Sequence, residues 1–139
     1  MPIALRLPTL QNGTKAIARG PMLNFFSRLK DRTKWSWQGL VATWRDEYSF
    51  RVWGYANLIS AVLAVWLPIS GAERALILVM GVLVLVAELF NTAIERAVDY
   101  TSTDHHPLAG QAKDAASAAV ALTAIAAGIA WAVALIGLI

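Results

Sequence analysis

The chain has 139 residues, enough for one domain, with 58% hydrophobic residues, 15% charged residues and a mean hydropathy of +0.54. A soluble domain carries roughly 25% charged residues, and a soluble chain this short could not bury so much apolar surface; a bilayer is the expected solvent. The net charge is +3, and the absence of cysteine excludes a disulfide framework, a thiolate metal site and a cysteine nucleophile.

Positive charge is concentrated early. Nine of the twelve Lys and Arg lie at or before Arg51: Arg6, Lys15, Arg19, Arg28, Lys30, Arg32, Lys34, Arg45 and Arg51. A nucleic acid could take such charge, but the hydrophobic remainder points to an anionic membrane surface, and no nucleic-acid partner is expected. Residues 1–24 hold Pro2, Pro8, Gly13, Gly20 and Pro21 and no apolar run of signal-peptide length. This stretch is expected to be a flexible tail, with residues 25–139 forming a single membrane domain.

Residues 25–48 read as an amphipathic surface helix. Phe26, Leu29, Thr33, Trp37, Leu40 and Trp44 recur at steps of three and four, and Arg28, Lys30, Arg32 and Lys34 supply a basic side. Tryptophans on one face with cations elsewhere suit a helix lying among lipid headgroups. The next stretch, from Val52 to Ala72, has 21 residues without a charge. It is long enough to cross a hydrocarbon core of about 30 Å at about 1.5 Å per residue. A first span is expected at about 50–69, with Trp53 and Trp66 near its ends, before a tight turn at Pro68, Ser70 and Gly71.

The second span is expected at about 73–100. Its uncharged part, Ala75 to Ala87, has only 13 residues, which reach about 20 Å and cannot cross alone. No breaker follows, so the helix is predicted to run on through Glu88, Asn91, Glu95 and Asp99. Tyr100 to Asp114 reads as a polar connection containing Pro107 and Gly110. The last 25 residues, Ala115 to Ile139, carry no charge and give a third span at about 114–138, rich in small residues that permit close packing. The basic N-terminal arm places the N-terminus and the 96–114 loop on the cytoplasmic side.

The chemistry sits on the second span. Glu88, Asn91, Glu95 and Asp99 are spaced three, four and four residues apart and share one helix face. Carboxylates on a membrane helix are costly and usually mark a functional path or site. Asp99 reads equally well as a solvated helix end; Glu88 lies too close to the apolar run for that. Oxygen ligands on one face suit a hard cation such as Mg²⁺, which takes one or two carboxylates plus phosphate oxygens. Asp104, His105, His106, Lys113 and Asp114 follow in the connection, while Arg28 and Glu47 come from the surface-helix region. Together they point to phosphoryl transfer, where catalysis is mostly positioning and charge stabilisation. The usual nucleotide motifs are missing: Gly13-Thr14-Lys15 has the tail of a P-loop without its earlier glycine or a preceding strand. The adjacent His105 and His106 read as polar surface rather than as a metal site. On physical grounds alone, a proton-coupled or cation-coupled transporter and a noncatalytic membrane scaffold fit nearly as well.

The stretch Ala87-Glu-Leu-Phe-Asn-Thr-Ala-Ile-Glu-Arg-Ala-Val-Asp99 continues through His106-Pro-Leu-Ala-Gly-Gln-Ala-Lys-Asp114 and Ser117-Ala-Ala-Val120. A second stretch runs from Trp35-Ser-Trp-Gln-Gly-Leu40 to Trp44-Arg-Asp-Glu-Tyr-Ser-Phe-Arg51. Across about residues 25–139 the chain resembles the small prokaryotic diacylglycerol kinase family, which includes undecaprenol kinases. The resemblance implies an all-α homotrimer of three-span subunits with a surface helix, seated in the bacterial inner membrane, with active sites shared between subunits. It implies transfer of the γ-phosphate of Mg-ATP to a lipid hydroxyl, with diacylglycerol favoured over undecaprenol as acceptor. By matching position, Glu88 falls at the catalytic base and Glu47 and Glu95 at the Mg²⁺ carboxylates. Asn91 and Asp99 fall at supporting polar positions. Arg28, Trp35, Asp104, His105, His106, Lys113 and Asp114, with Glu47 and Glu95, fall where ATP is held. Arg28, Trp44, Phe50, Glu88 and Ser117 fall where the lipid is met. Trp35 stands where relatives often carry Tyr, which keeps stacking but loses a phenol hydroxyl.

Overall fold

The computed structural model describes residues 21–101 and 104–139; most of the expected N-terminal tail, including Gly13-Thr14-Lys15, lies outside them. Four helices follow in order: α1 (Pro21–Asp46), α2 (Tyr48–Trp66), α3 (Gly71–Thr101) and α4 (Pro107–Ile136), with no strand among the described residues. The chain divides into two compact units after Ser36.

In the first unit, Pro21 opens α1, where its preset φ suits a helix start and its missing N–H costs nothing. The Phe25 and Phe26 rings meet edge to face at 5.6 Å. Both stay exposed, as do Leu29, Trp35 and the four cations from Arg28 to Lys34.

In the second unit α1 continues to Asp46 and breaks at Glu47, whose backbone is extended at φ −104° and ψ 117°. The break orphans carbonyls at the end of α1. Arg51, from the first turn of α2, donates Nη1 to the Trp44 and Arg45 carbonyls at 2.9 and 2.7 Å, which satisfies them. Trp44 folds over the start of α2, its ring edge to face with Phe50 and Tyr55 at 6.1 and 5.5 Å. A Cβ at Gly54 would stand 2.5 Å from the Trp44 ring, so only glycine allows this approach.

The far end of α2 is finished the same way. Leu67 is extended before Pro68, and the Arg74 guanidinium reaches the carbonyls of Ala64, Leu67 and Ile69 at 2.8, 3.3 and 3.3 Å. Ser70 and Glu73 start α3 with a reciprocal capping box: Ser70 N–H donates to Glu73 Oε2, and Glu73 N–H to Ser70 Oγ. Ala64, Ile69, Ile77, Ala130 and Ala134 form the apolar cluster at this end.

α3 packs against both α2 and α4. Polar groups tie the helices between the ends. The Asn57 amide donates to the Gly81 carbonyl, and Trp131 Nε1 donates to Ser60 Oγ at 2.9 Å. Outward, by contrast, Leu58, Ile59, Val82, Phe90, Leu122 and Ile129 are exposed, while Thr43, Glu88 and Thr92 are buried. An exposed apolar exterior with the few buried polar groups facing inward fits a protein solvated by lipid. By length and composition α3 and α4 can each cross a membrane. α2, expected to be the first span, has 19 residues and carries Arg51, Asn57 and two tyrosines, and is not among the helices that meet this measure.

The expected polar connection up to Asp114 is much shorter. α4 begins at Pro107, seven residues ahead of the expected span, because Pro107 occupies the first helical position and His106 caps it, Nδ1 accepting from Leu108 N–H at 3.2 Å. Lys113 and Asp114 therefore stand on the second turn of α4 rather than in a loop.

Candidate active site

α3 carries the stripe. Its interior-facing positions Ile77, Gly81, Val84, Glu88 and Thr92 are all buried, so Glu88 sits where the helix packs rather than where it meets water. It is 4% exposed. Ser49, two residues after the break, donates Oγ to Glu88 Oε2 at 3.4 Å, a long bond that orients the carboxyl but satisfies it only weakly. One turn on, Asn91 donates Nδ2 to Glu95 Oε1 at 3.1 Å, while its own Oδ1 is buried without a partner. An orphaned buried acceptor is rare in a folded protein and points to a group it is waiting to receive.

The break between α1 and α2 brings Glu47 to α3. Glu47 Oε1 accepts from Arg96 Nη2 at 2.8 Å, and the same nitrogen lies 3.9 Å from Asp46 Oδ2. Asp46 is itself bound side-on by Arg45, through Nε at 2.7 Å and Nη2 at 3.2 Å. The Arg45 hydrogen bonds hold the Asp46 carboxyl below the usual carboxylate range. Beyond Glu95, Asp99 accepts from Lys113 Nζ at 2.8 Å. Asp99, Asp104, His105, His106 and Lys113 line one cleft of about 640 Å³ over the short α3–α4 connection. An apolar groove of about 620 Å³ opens sideways between α3 and α4, with Asn91 among its few polar lining groups.

The metal-type positions Glu47 and Glu95, with the amide oxygen of Asn91 beside Glu95, offer only oxygen donors. Such a set fits a hard divalent cation. Among the described residues no three carboxylate or histidine side chains form a complete metal cage.

Within the second unit, the residues expected at the site do not all gather. Arg28 and Trp35 belong to the first unit, exposed on α1. Asp114 and Ser117 are exposed on α4, outside the cleft that Lys113 lines. Phe50, expected to meet lipid, is buried beneath Trp44 and has no free surface in the single chain; its place is in the packing of the α1–α2 break. Trp44 keeps a partly open face. Two residues enter that the sequence did not single out. Ser49 and Arg96 lie within the quoted stretches without a role of their own, and Arg96 finds its partner Glu47 49 positions away.

The chain matches the family model described as prokaryotic diacylglycerol kinase over residues 34–135. Relatives named diacylglycerol kinase include one from Escherichia coli strain K12, 41% identical over 106 residues, covering 76% of this chain and 87% of the relative. One from Pseudomonas aeruginosa is 41% identical over 112 residues, covering 79% and 89%. One from Helicobacter pylori is 41% identical over 99 residues, covering 71% and 77%. Arg28 falls outside the matched stretch, and the break, the acidic stripe and the α3–α4 connection fall within it. The chain belongs to the prokaryotic diacylglycerol kinase family.

Proposed function

We propose that this protein is a membrane-embedded kinase that transfers the γ-phosphate of ATP to the hydroxyl of diacylglycerol, giving phosphatidic acid. The observation that carries the reading is Glu88: a buried carboxyl at the end of an apolar helical run, one helical turn from an unpartnered Asn91 oxygen. The acceptor hydroxyl of a lipid lies at the membrane boundary, so a base that serves it must lie there too. Glu88 accepts the hydroxyl proton as the lipid oxygen attacks the γ-phosphorus; the bond to the β,γ-bridging oxygen breaks and ADP leaves. Ser49 keeps the carboxyl oriented.

Glu47, Glu95 and the Asn91 oxygen are the groups that would hold Mg²⁺, which when bound neutralises charge on the triphosphate. Lys113, Asp104, His105 and His106 line the neighbouring cleft proposed to take the nucleotide, with Asp114 nearby in sequence; Arg28 and Trp35 are proposed to bind ATP as well. Trp44 and Ser117 are proposed to meet the lipid, as is Arg28. α2 joins α3 and α4 as a third span, and the basic arm keeps the N-terminus at the cytoplasmic face of a bacterial inner membrane. The exposed apolar faces are covered by lipid and by two further copies of the chain in a trimer.

Purified protein in lipid, given Mg-ATP labelled at the γ-position and a panel of acceptors, tests the reading. Label in phosphatidic acid supports it. Label only in undecaprenyl phosphate reassigns the acceptor, and label in no lipid removes the kinase reading.

A further inference from the structure

We propose that Arg96 is a phosphate-binding residue of this protein, anchored by Glu47 so that its free edge receives the triphosphate of the nucleotide. The proposal rests on the reading of Glu47 and Glu95 as the nucleotide end of the site. Arg96 follows Glu95 directly, turned about 100° from it around α3. Its contacts among the described residues all pass through one nitrogen: Nη2 meets Glu47 Oε1 at 2.8 Å and lies 3.9 Å from Asp46 Oδ2. Among the described residues Nε and Nη1 have no hydrogen-bond or ion-pair partner, and the side chain is 46% exposed.

A structural role accounts poorly for this arrangement. An ion pair this exposed contributes little to stability. Asp46 already has its counter-charge in Arg45, so it does not need Arg96. The other cations of residues 37–139 are engaged elsewhere. Arg51 closes the end of α1, Arg74 closes the end of α2, and Lys113 is paired with Asp99. Among the described cations of residues 37–139, Arg96 combines a contact to the metal-type carboxylate Glu47 with an open guanidinium edge. A planar fork of N–H donors matches phosphate oxygens in pairs, and a fork tethered at one nitrogen needs little ordering to use the others.

The test is nucleotide binding, read by calorimetry on the full-length protein in lipid, with Mg-ATP and with adenosine monophosphate as probes. Arg96→Gln should weaken Mg-ATP binding at least about tenfold, the size of one lost charge-assisted hydrogen bond. Adenosine monophosphate, which lacks the outer phosphates, should bind as before, and the melting temperature should hold. Arg96→Lys, which keeps the charge but loses the fork, should fall between. Mg-ATP affinity within twofold of wild type, or equal weakening of both nucleotides, overturns the proposal. Glu47→Gln and Glu95→Gln run in parallel separate the two levels. If they weaken Mg-ATP binding and Arg96→Gln does not, the Arg96 assignment falls while the nucleotide site stands. If none of the three changes binding, the site reading itself falls.

Discussion

Replacing Glu88 with Gln separates the chemistry from the fold. The amide has nearly the carboxyl's shape, and its oxygen still accepts from Ser49 Oγ, so that hydrogen bond survives. What disappears is the ability to take a proton. Loss of a positioned base costs about 10²–10⁴ in rate, equivalent to about 3–5 kcal/mol of barrier at 1.36 kcal/mol per tenfold. Stability should move the other way or stay put. A 4%-exposed carboxyl carries a desolvation cost that a neutral amide largely avoids. The assay is turnover at saturating diacylglycerol and Mg-ATP, paired with thermal unfolding of the same preparation. Turnover down at least a hundredfold with an unchanged or higher unfolding temperature is the expected pair. Near-wild-type turnover would show that Glu88 is not the base. Activity and stability lost together would make it a structural residue.

Glu47→Gln and Glu95→Gln should each raise the Mg²⁺ concentration needed for half-maximal activity by about tenfold, since each removes one charged oxygen donor of the set; a magnesium titration of both variants checks this. Gly54→Ala should place a methyl inside the Trp44 ring and cost about 1–3 kcal/mol through overpacking, seen as a lower unfolding temperature and a shifted tryptophan emission. Single cysteines placed along 25–48 of this cysteine-free chain should show lipid contact with a period of three to four residues. Spin-label accessibility reads that pattern, and uniform water exposure would contradict a headgroup-seated helix.

The long apolar helices were legible because hydropathy and the absence of breakers act locally. α3 could be followed past its apolar run since nothing between Ala87 and Asp99 stops a helix, and the Glu88, Asn91 and Glu95 spacing marked its face. The start of α4 was hidden by the same rule. Pro107 and Gly110 read as breakers, although proline at a first helical position begins a helix and His106 supplies the cap. The pairings that assemble the site were out of reach. Arg96 with Glu47 and Ser49 with Glu88 join residues 49 and 39 positions apart, and both depend on a break at Glu47 made by no glycine or proline. The burial of Phe50 was equally hidden, because it follows from how Trp44 folds back over Gly54.

The central claim is direct transfer of a phosphoryl group from ATP to a lipid hydroxyl that Glu88 deprotonates. The stereochemical course at phosphorus tests it most directly, using ATP made chiral at the γ-phosphate with oxygen isotopes and diacylglycerol as acceptor. One in-line displacement predicts phosphatidic acid with inverted configuration. Retention, which requires a second displacement through a phosphorylated protein group, would contradict the account, as would label that never reaches the lipid.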